Sequence, residues 1–170
     1  MIRSYCAVCR RGLQGLVTCG MLLSGLSGQA AEPEADAVSW QVVVSPWTHH
    51  FIDRPEYRPV WALGLERETA DHDLSGLSVF SNSYGQSSAY LYYGHVFNNV
   101  SSWTDALYVK LTAGVIYGYV HPYEDKMLLN YHGFAPAIIP TLGWRLDRDW
   151  SIQLNFLGTA AVMFTVGRQL

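Results

Sequence analysis

Cysteine is scarce in this sequence, and its placement excludes thiol chemistry from most of the chain. Cys6, Cys9 and Cys19 are the only three, and none occurs after Cys19. Cys6 and Cys9 have the CxxC spacing of some metal sites, but no partner pair exists and an apolar run follows, so a metal site is not expected. A mature chain that starts after these residues has no disulfide and no reactive thiol.

A long hydrophobic run that could form a membrane-spanning helix is also missing. The amino terminus has a basic start followed by a run of apolar and small residues over positions 12–28. That run is too short and too rich in glycine and serine for a good transmembrane helix, but the order is typical of a secretory signal. We predict that residues 1–31 are a signal peptide cleaved near Ala30 or Ala31. A lipoprotein cut before Cys19 is the weaker alternative.

Charged residues are few, at 15% of the chain, and basic ones are the rarer kind. Loss of the three leader arginines from 11 basic residues, against 14 acidic ones, leaves a mature net charge of −6. An acidic chain without a basic stripe is a poor candidate for nucleic-acid binding. We therefore expect no nucleic-acid partner.

No convincing helical period occurs, whereas apolar residues alternate with polar or small ones in eight successive runs. We predict an all-β fold, an eight-stranded antiparallel outer-membrane β-barrel over residues 32–170. An even number of strands near ten residues, with aromatic residues at their ends, favours this class. A secreted soluble calycin barrel would show the same alternation with its apolar face turned inward. The predicted strands are 40–44, 60–68, 74–81, 88–97, 107–119, 134–146, 150–157 and 160–168.

Two polar strand tips carry the candidate chemistry, at positions 47–51 and 80–86. We predict that they meet at the mouth of the barrel, where His50 acts as a base beside Ser83 in an acyl transfer. A serine in such a turn is more often only a turn residue. The doublet His49-His50 leaves the base uncertain by one position, and His121 and His132 are rival bases on a long loop.

Metal and cofactor signals are lacking. The six histidines include no HxxxH or HxH pair, so we expect neither a metal site nor a cofactor.

Two prolines interrupt the sixth predicted strand, at Pro136 and Pro140. Proline cannot donate a hydrogen bond to a β-ladder, so bonds should be missing from the barrel wall here. The sequence leaves two interpretations open, a local bend or a lateral opening for a lipid chain.

These features together resemble the PagP family of lipid A palmitoyltransferases, over almost the whole mature chain. The family shows Phe-x-Asp-Ser where this chain has Phe80-Ser81-Asn82-Ser83, so Asn82 replaces an aspartate. The other matching positions are His50-Phe51, Arg58-Pro59, Gly94, 111–115 and 136–140.

The resemblance implies an outer-membrane acyltransferase that moves palmitate from a phospholipid to a hydroxyl of lipid A. It implies catalytic roles for His50, Asn82 and Ser83. Substrate would be bound by Gly94 at the floor of an acyl pocket and by Tyr92 on the same strand face. Apart from the resemblance, Arg58 lies in a predicted outer loop, where it could pair with a lipid A phosphate, although most such loop charges are only solvated. The partners would be the phospholipid donor and the lipid A acceptor, and we expect a membrane-embedded monomer.

Two rival functions remain open at this point. One is a lipid A deacylase or esterase in the same fold, which would use water instead of a second lipid. The other is a non-catalytic barrel that binds lipid, and the replacement of aspartate by Asn82 favours it.

Overall fold

Eight antiparallel strands close into a barrel in the order of the chain, in a computed structural model that describes residues 38–170. The all-β, eight-stranded prediction is thereby confirmed. The predicted signal peptide, residues 1–31, lies outside the described residues. The strands are β1 Ser39–His50, β2 Ala62–Glu68, β3 Asp73–Ser81, β4 Ser87–Phe97, β5 Leu107–Tyr117, β6 Phe134–Arg145, β7 Trp150–Leu157 and β8 Ala161–Gln169.

The alternation along each strand places large apolar side chains on the outside of the barrel. On β5, Lys110 and Thr112 are buried while Leu111 and Val115 are 45% and 48% exposed. The other strands follow the same rule, with outward-facing residues such as Leu77, Leu91 and Ile138. This arrangement is the reverse of a calycin barrel, whose apolar face points inward. Within residues 38–170, no helix has the length and apolar character needed to span a membrane.

A β-bulge makes the first strand longer than predicted and reverses its alternation. From Val44 to Trp47, β1 advances three residues while its partner β8 advances two, from Val166 to Phe164. The bulge accommodates Pro46, whose missing N–H would otherwise break the ladder. Every residue after the bulge therefore points to the opposite face from the one that simple alternation gives.

The barrel wall is incompletely paired near one end. Pairing between β6 and β7 covers only Thr141–Arg145 of β6, so the segment from Phe134 to Pro140 is paired with β5 alone. Pairing between β1 and β2 likewise stops at Ser45 and Ala62. The ladder ends beside Pro140, and β6 extends past the end of β7 at Leu157, so the wall has a gap next to the two prolines.

Candidate active site at the mouth of the barrel

One end of the barrel, which we call the mouth, brings the two polar tips together. It is formed by the connections 51–61, 82–86, 118–133 and 158–160. His50 ends β1, and Ser83 lies in the short turn between β3 and β4. The His50 Nε2 and Ser83 Oγ atoms are 2.7 Å apart. When the Ser83 hydroxyl donates this hydrogen bond, the lone pair of His50 Nε2 accepts it, which is the arrangement that a general base requires.

The bulge in β1 decides which of the two histidines takes part. Gln41 and Val43 face the interior, so unbroken alternation would also turn residue 49 inward. The extra residue instead leaves His49 exposed and turns His50 toward Ser83. The rival histidines lie in the β5–β6 connection, where the side chain of His121 is 91% exposed and His132 packs against Tyr131.

Asn82 does not contact His50 through a hydrogen bond in the described structure; it builds the turn instead. Its side-chain oxygen accepts the backbone N–H groups of Tyr84 and Gln86, each at 3.0 Å. Its amide nitrogen donates to the Gly118 carbonyl and to the Gln86 side chain, each at 3.2 Å. Both donors and both acceptor sites of the amide are thus used, and Asn82 is only 1% exposed. Its evident role is to hold the turn that presents Ser83.

A cluster of tyrosines, which the sequence analysis missed, surrounds the pair. Tyr84 packs against Tyr57, Tyr119 and Tyr123, with ring centroids 5.7, 6.3 and 4.2 Å away. Because these rings come from three different connections, Tyr84 ties the mouth together. The signal available in the sequence was the presence of a tyrosine in three of the four connections that form the mouth.

Two members of this cluster lie beside the His50–Ser83 pair. The ring of Tyr57 lies 4.4 Å from that of His50, tilted by 36°. Tyr119 and Ser83 line the same cavity. Burial raises the pKa of Tyr119 to about 12, with further upward contributions from Tyr84 and Tyr57, and the Ser83 hydroxyl opposes the rise. The phenol therefore stays protonated near neutral pH and can donate a hydrogen bond.

The carboxylate nearest to His50 along the chain is that of Asp53. It lies in the exposed loop after β1. The motif of the resembling family has an aspartate directly before the serine, and Asn82 stands there in this chain. The negative charge of Asp53 lies in the neighbouring loop instead.

A cavity of about 700 Å³ extends from the pair into the barrel. His50 and Ser83 lie at its upper edge, and Glu66, Tyr92 and Lys110 lie at its deep end. Pro136 and Ile138 also line it, and both belong to the part of β6 that is not paired with β7. The cavity therefore reaches the gap in the wall. Its apolar walls include Val43, Phe80, Tyr90, Ile116, Ile139 and Met163.

The three predicted substrate-binding residues have different surroundings. Tyr92 is a cavity residue, and its hydroxyl donates to Glu66 Oε1 at 3.0 Å. Gly94 is on the inner face but outside the cavity lining, and a Cβ there would collide with the backbone of Leu111 and Thr112. The glycine thus permits close packing of two strands.

Arg58 contributes to the mouth mainly through its backbone. Its N–H donates to the Ser83 carbonyl at 2.8 Å, and its side chain is exposed beside Gly85. This bond fixes the connection before β2 to the serine turn, while the guanidinium remains free to face solvent.

Within residues 38–170, no group of three or more histidine or carboxylate side chains is placed to hold a metal ion. The fold and the site define a closed eight-stranded antiparallel barrel with a His–Ser pair above an internal cavity. Comparison with known proteins finds no matching family model and no matching curated protein sequence.

Proposed function

We propose that this protein is an outer-membrane acyltransferase that moves a palmitoyl chain from a phospholipid to a hydroxyl of lipid A. The observation that carries the proposal is the 2.7 Å His50–Ser83 contact at the edge of a cavity of about 700 Å³. A base beside a hydroxyl is the minimum apparatus for transfer of an acyl group between oxygens.

The outer face of the barrel supports a membrane location. In lipid every backbone polar group needs an internal partner, which a closed barrel supplies. Apolar side chains such as Leu91 and Ile138, 66% and 67% exposed, would then contact lipid tails instead of water. Such a surface on a soluble barrel would be a large unprotected apolar patch.

The cavity and the wall gap support a lipid substrate. An acyl chain needs an apolar channel of ligand-binding size, and about 700 Å³ is within that range. The gap between β6 and β7 opens into the cavity at Pro136 and Ile138. A phospholipid tail could enter from the bilayer sideways, without first being exposed to water.

The chemistry is an ester exchange. His50 accepts a proton from the attacking hydroxyl, either that of Ser83 or one of lipid A held by Ser83. The ester bond of the donor breaks, and the lysophospholipid oxygen leaves with the proton returned by His50. If lipid A attacks, the new ester forms on it directly. If Ser83 attacks, the new ester forms on Ser83; a lipid A hydroxyl then gives its proton to His50 and takes the acyl group, and His50 returns the proton to the Ser83 oxygen. The protonated imidazole would be stabilised by the adjacent Tyr57 ring through a cation–π interaction.

The test is mass spectrometry of lipid A from cells with and without the gene, together with analysis of the phospholipids. Transfer adds a palmitoyl group to lipid A and produces lysophospholipid. Free fatty acid in place of acylated lipid A would assign the protein to the deacylase or esterase alternative. No change in either lipid would leave the non-catalytic lipid-binding barrel.

A further inference from the structure

The interior of the barrel contains a second pocket, at the end opposite the mouth. It has a volume of about 50 Å³ and is lined in part by Asp147, Arg148 and Asp149, which connect β6 to β7. The mouth cavity and this inner pocket have two lining residues in common, Glu66 and Lys110. These two side chains therefore lie between spaces that lead to opposite ends of the barrel, as does the hydrogen bond from Gln153 of the mouth cavity to Gln41 of the inner pocket.

The charged part of this partition between the two spaces is an ion pair that crosses the lumen. Glu66 is on β2 and Lys110 is on β5, with β3 and β4 between them in the sheet. Lys110 Nζ donates to both carboxylate oxygens of Glu66, at 2.7 and 2.8 Å. The two residues are only 5% and 3% exposed, and Tyr92 donates a third hydrogen bond to Glu66.

Stability alone does not account for a charged pair at this position. Burying two charges carries a desolvation penalty that often equals or exceeds their attraction, and apolar residues of similar volume are often at least as stabilising. The interior of an eight-stranded barrel can be filled by side chains without charges. Apolar residues would also suit the deep end of a cavity whose walls are largely apolar. Ionisable residues inside a membrane barrel typically mark a path for polar species.

The neighbourhood of Lys110 offers another position for its ammonium group. Thr141 is its register partner on β6, and Gln153 of β7 lines the same cavity. A lysine stem is long and flexible enough to turn from Glu66 toward these oxygens. Glu66 would keep the hydrogen bond from Tyr92, so a parted state retains a partner for each charge.

We propose that the Glu66–Lys110 pair is the closed gate of a passage for water and small inorganic ions through the barrel. Parting of the pair joins the mouth cavity to the inner pocket. This activity requires a barrel in a membrane but not acyl transfer, so a Ser83→Ala protein should retain it.

The test is the ionic current through the purified full chain inserted in planar lipid bilayers, with potassium chloride on both sides. Glu66→Gln and Lys110→Met keep most of the side-chain volume but remove the charge. An increase in current would therefore not come from a cavity left by a smaller side chain. The exchanged variant, Glu66→Lys with Lys110→Glu, restores the pair in reverse. Glu68→Gln, on the same strand and lining only the inner pocket, is the matched control.

We expect short, infrequent openings in the unaltered protein. Each neutralised variant should raise the open fraction at least about tenfold, since removing one partner of a buried pair strongly disfavours the paired state. The exchanged variant should return toward the unaltered level, and Glu68→Gln should match the unaltered protein. Circular dichroism and heat-dependent gel migration would first establish that each variant is folded.

Three outcomes would overturn the gate. Folded Glu66→Gln protein without openings above those of the lipid alone would mean that other residues close the lumen. An equal increase in Glu68→Gln would mean that the currents do not depend on this pair. If the exchanged variant carried as much current as the neutralised variants, the pairing of residues 66 and 110 would not be what closes the passage. Loss of transfer in Ser83→Ala with normal gating would keep this proposal separate from the catalytic one.

Discussion

The role of Asn82 can be tested by giving the chain the aspartate of the family motif. If residue 82 served the chemistry, Asn82→Asp would supply a charge near His50 and should increase transfer. The structure predicts the opposite, because the side chain is occupied in the turn and hydrogen-bonds elsewhere.

The expected loss follows from the two bonds that the substitution removes. An aspartate oxygen can still accept the N–H groups of Tyr84 and Gln86, but an ionised carboxylate cannot donate. The carbonyl of Gly118 and the side-chain oxygen of Gln86 would then face a negative charge at 3.2 Å. An unsatisfied buried polar group costs about 1–3 kcal/mol. Because the Gln86 oxygen keeps the Val120 N–H, the Gly118 carbonyl is the group left unsatisfied, and the change should lower the free energy of unfolding by about 1–3 kcal/mol. Transfer should fall with the loss of the turn.

Urea unfolding in detergent, followed by a transfer assay under conditions where the protein is folded, would measure both effects. Ser81→Ala is the matched control, since its hydroxyl makes a single long hydrogen bond of 3.5 Å to the Asn82 carbonyl. We expect a change within about 0.5 kcal/mol for it, as for most peripheral substitutions. An Asn82→Asp protein of unchanged stability and higher activity would refute the structural role.

Other substitutions test the remaining parts of the site. Ser83→Ala and His50→Ala should each lower the transfer rate at least ~100-fold with the fold intact, whereas His49→Ala should have a milder effect; the reverse order for the two histidines in a lipid transfer assay would place the base one position earlier. Tyr119→Phe, which removes the hydroxyl beside Ser83, should lower kcat by about tenfold, as loss of one hydrogen bond during transfer would, with little change in unfolding; an unchanged kcat would show that the Tyr119 hydroxyl takes no part in transfer. Gly94→Met should lower stability and leave the length of the transferred chain unchanged, because the added side chain meets the β5 backbone; mass spectrometry showing a shorter chain from a well-folded variant would restore Gly94 as the floor of the pocket.

The number of strands and the class of fold could be predicted from the sequence because the information is local. Residues two apart in a strand share a face, so alternation marks each strand without knowledge of its partners. The position of Ser83 at a strand tip was also predictable, since Gly85 and the polar residues before it form a turn. The direction in which the apolar face points could not be predicted from the local pattern, because it depends on how the sheet closes.

The residues that complete the site were decided by pairing across the structure. His50 was favoured by the family motif, but the structure turns it inward in place of His49 because β1 has one residue more than β8 between two paired positions. The extra residue can be recognised only from the pairing of β1 with β8, which are far apart in the sequence. The contact of Lys110 with Glu66 likewise depends on the closure of the barrel, which brings β2 and β5 face to face across the lumen. Alternation in the sequence determines which side chains can point inward, and only the closed sheet determines which of them meet.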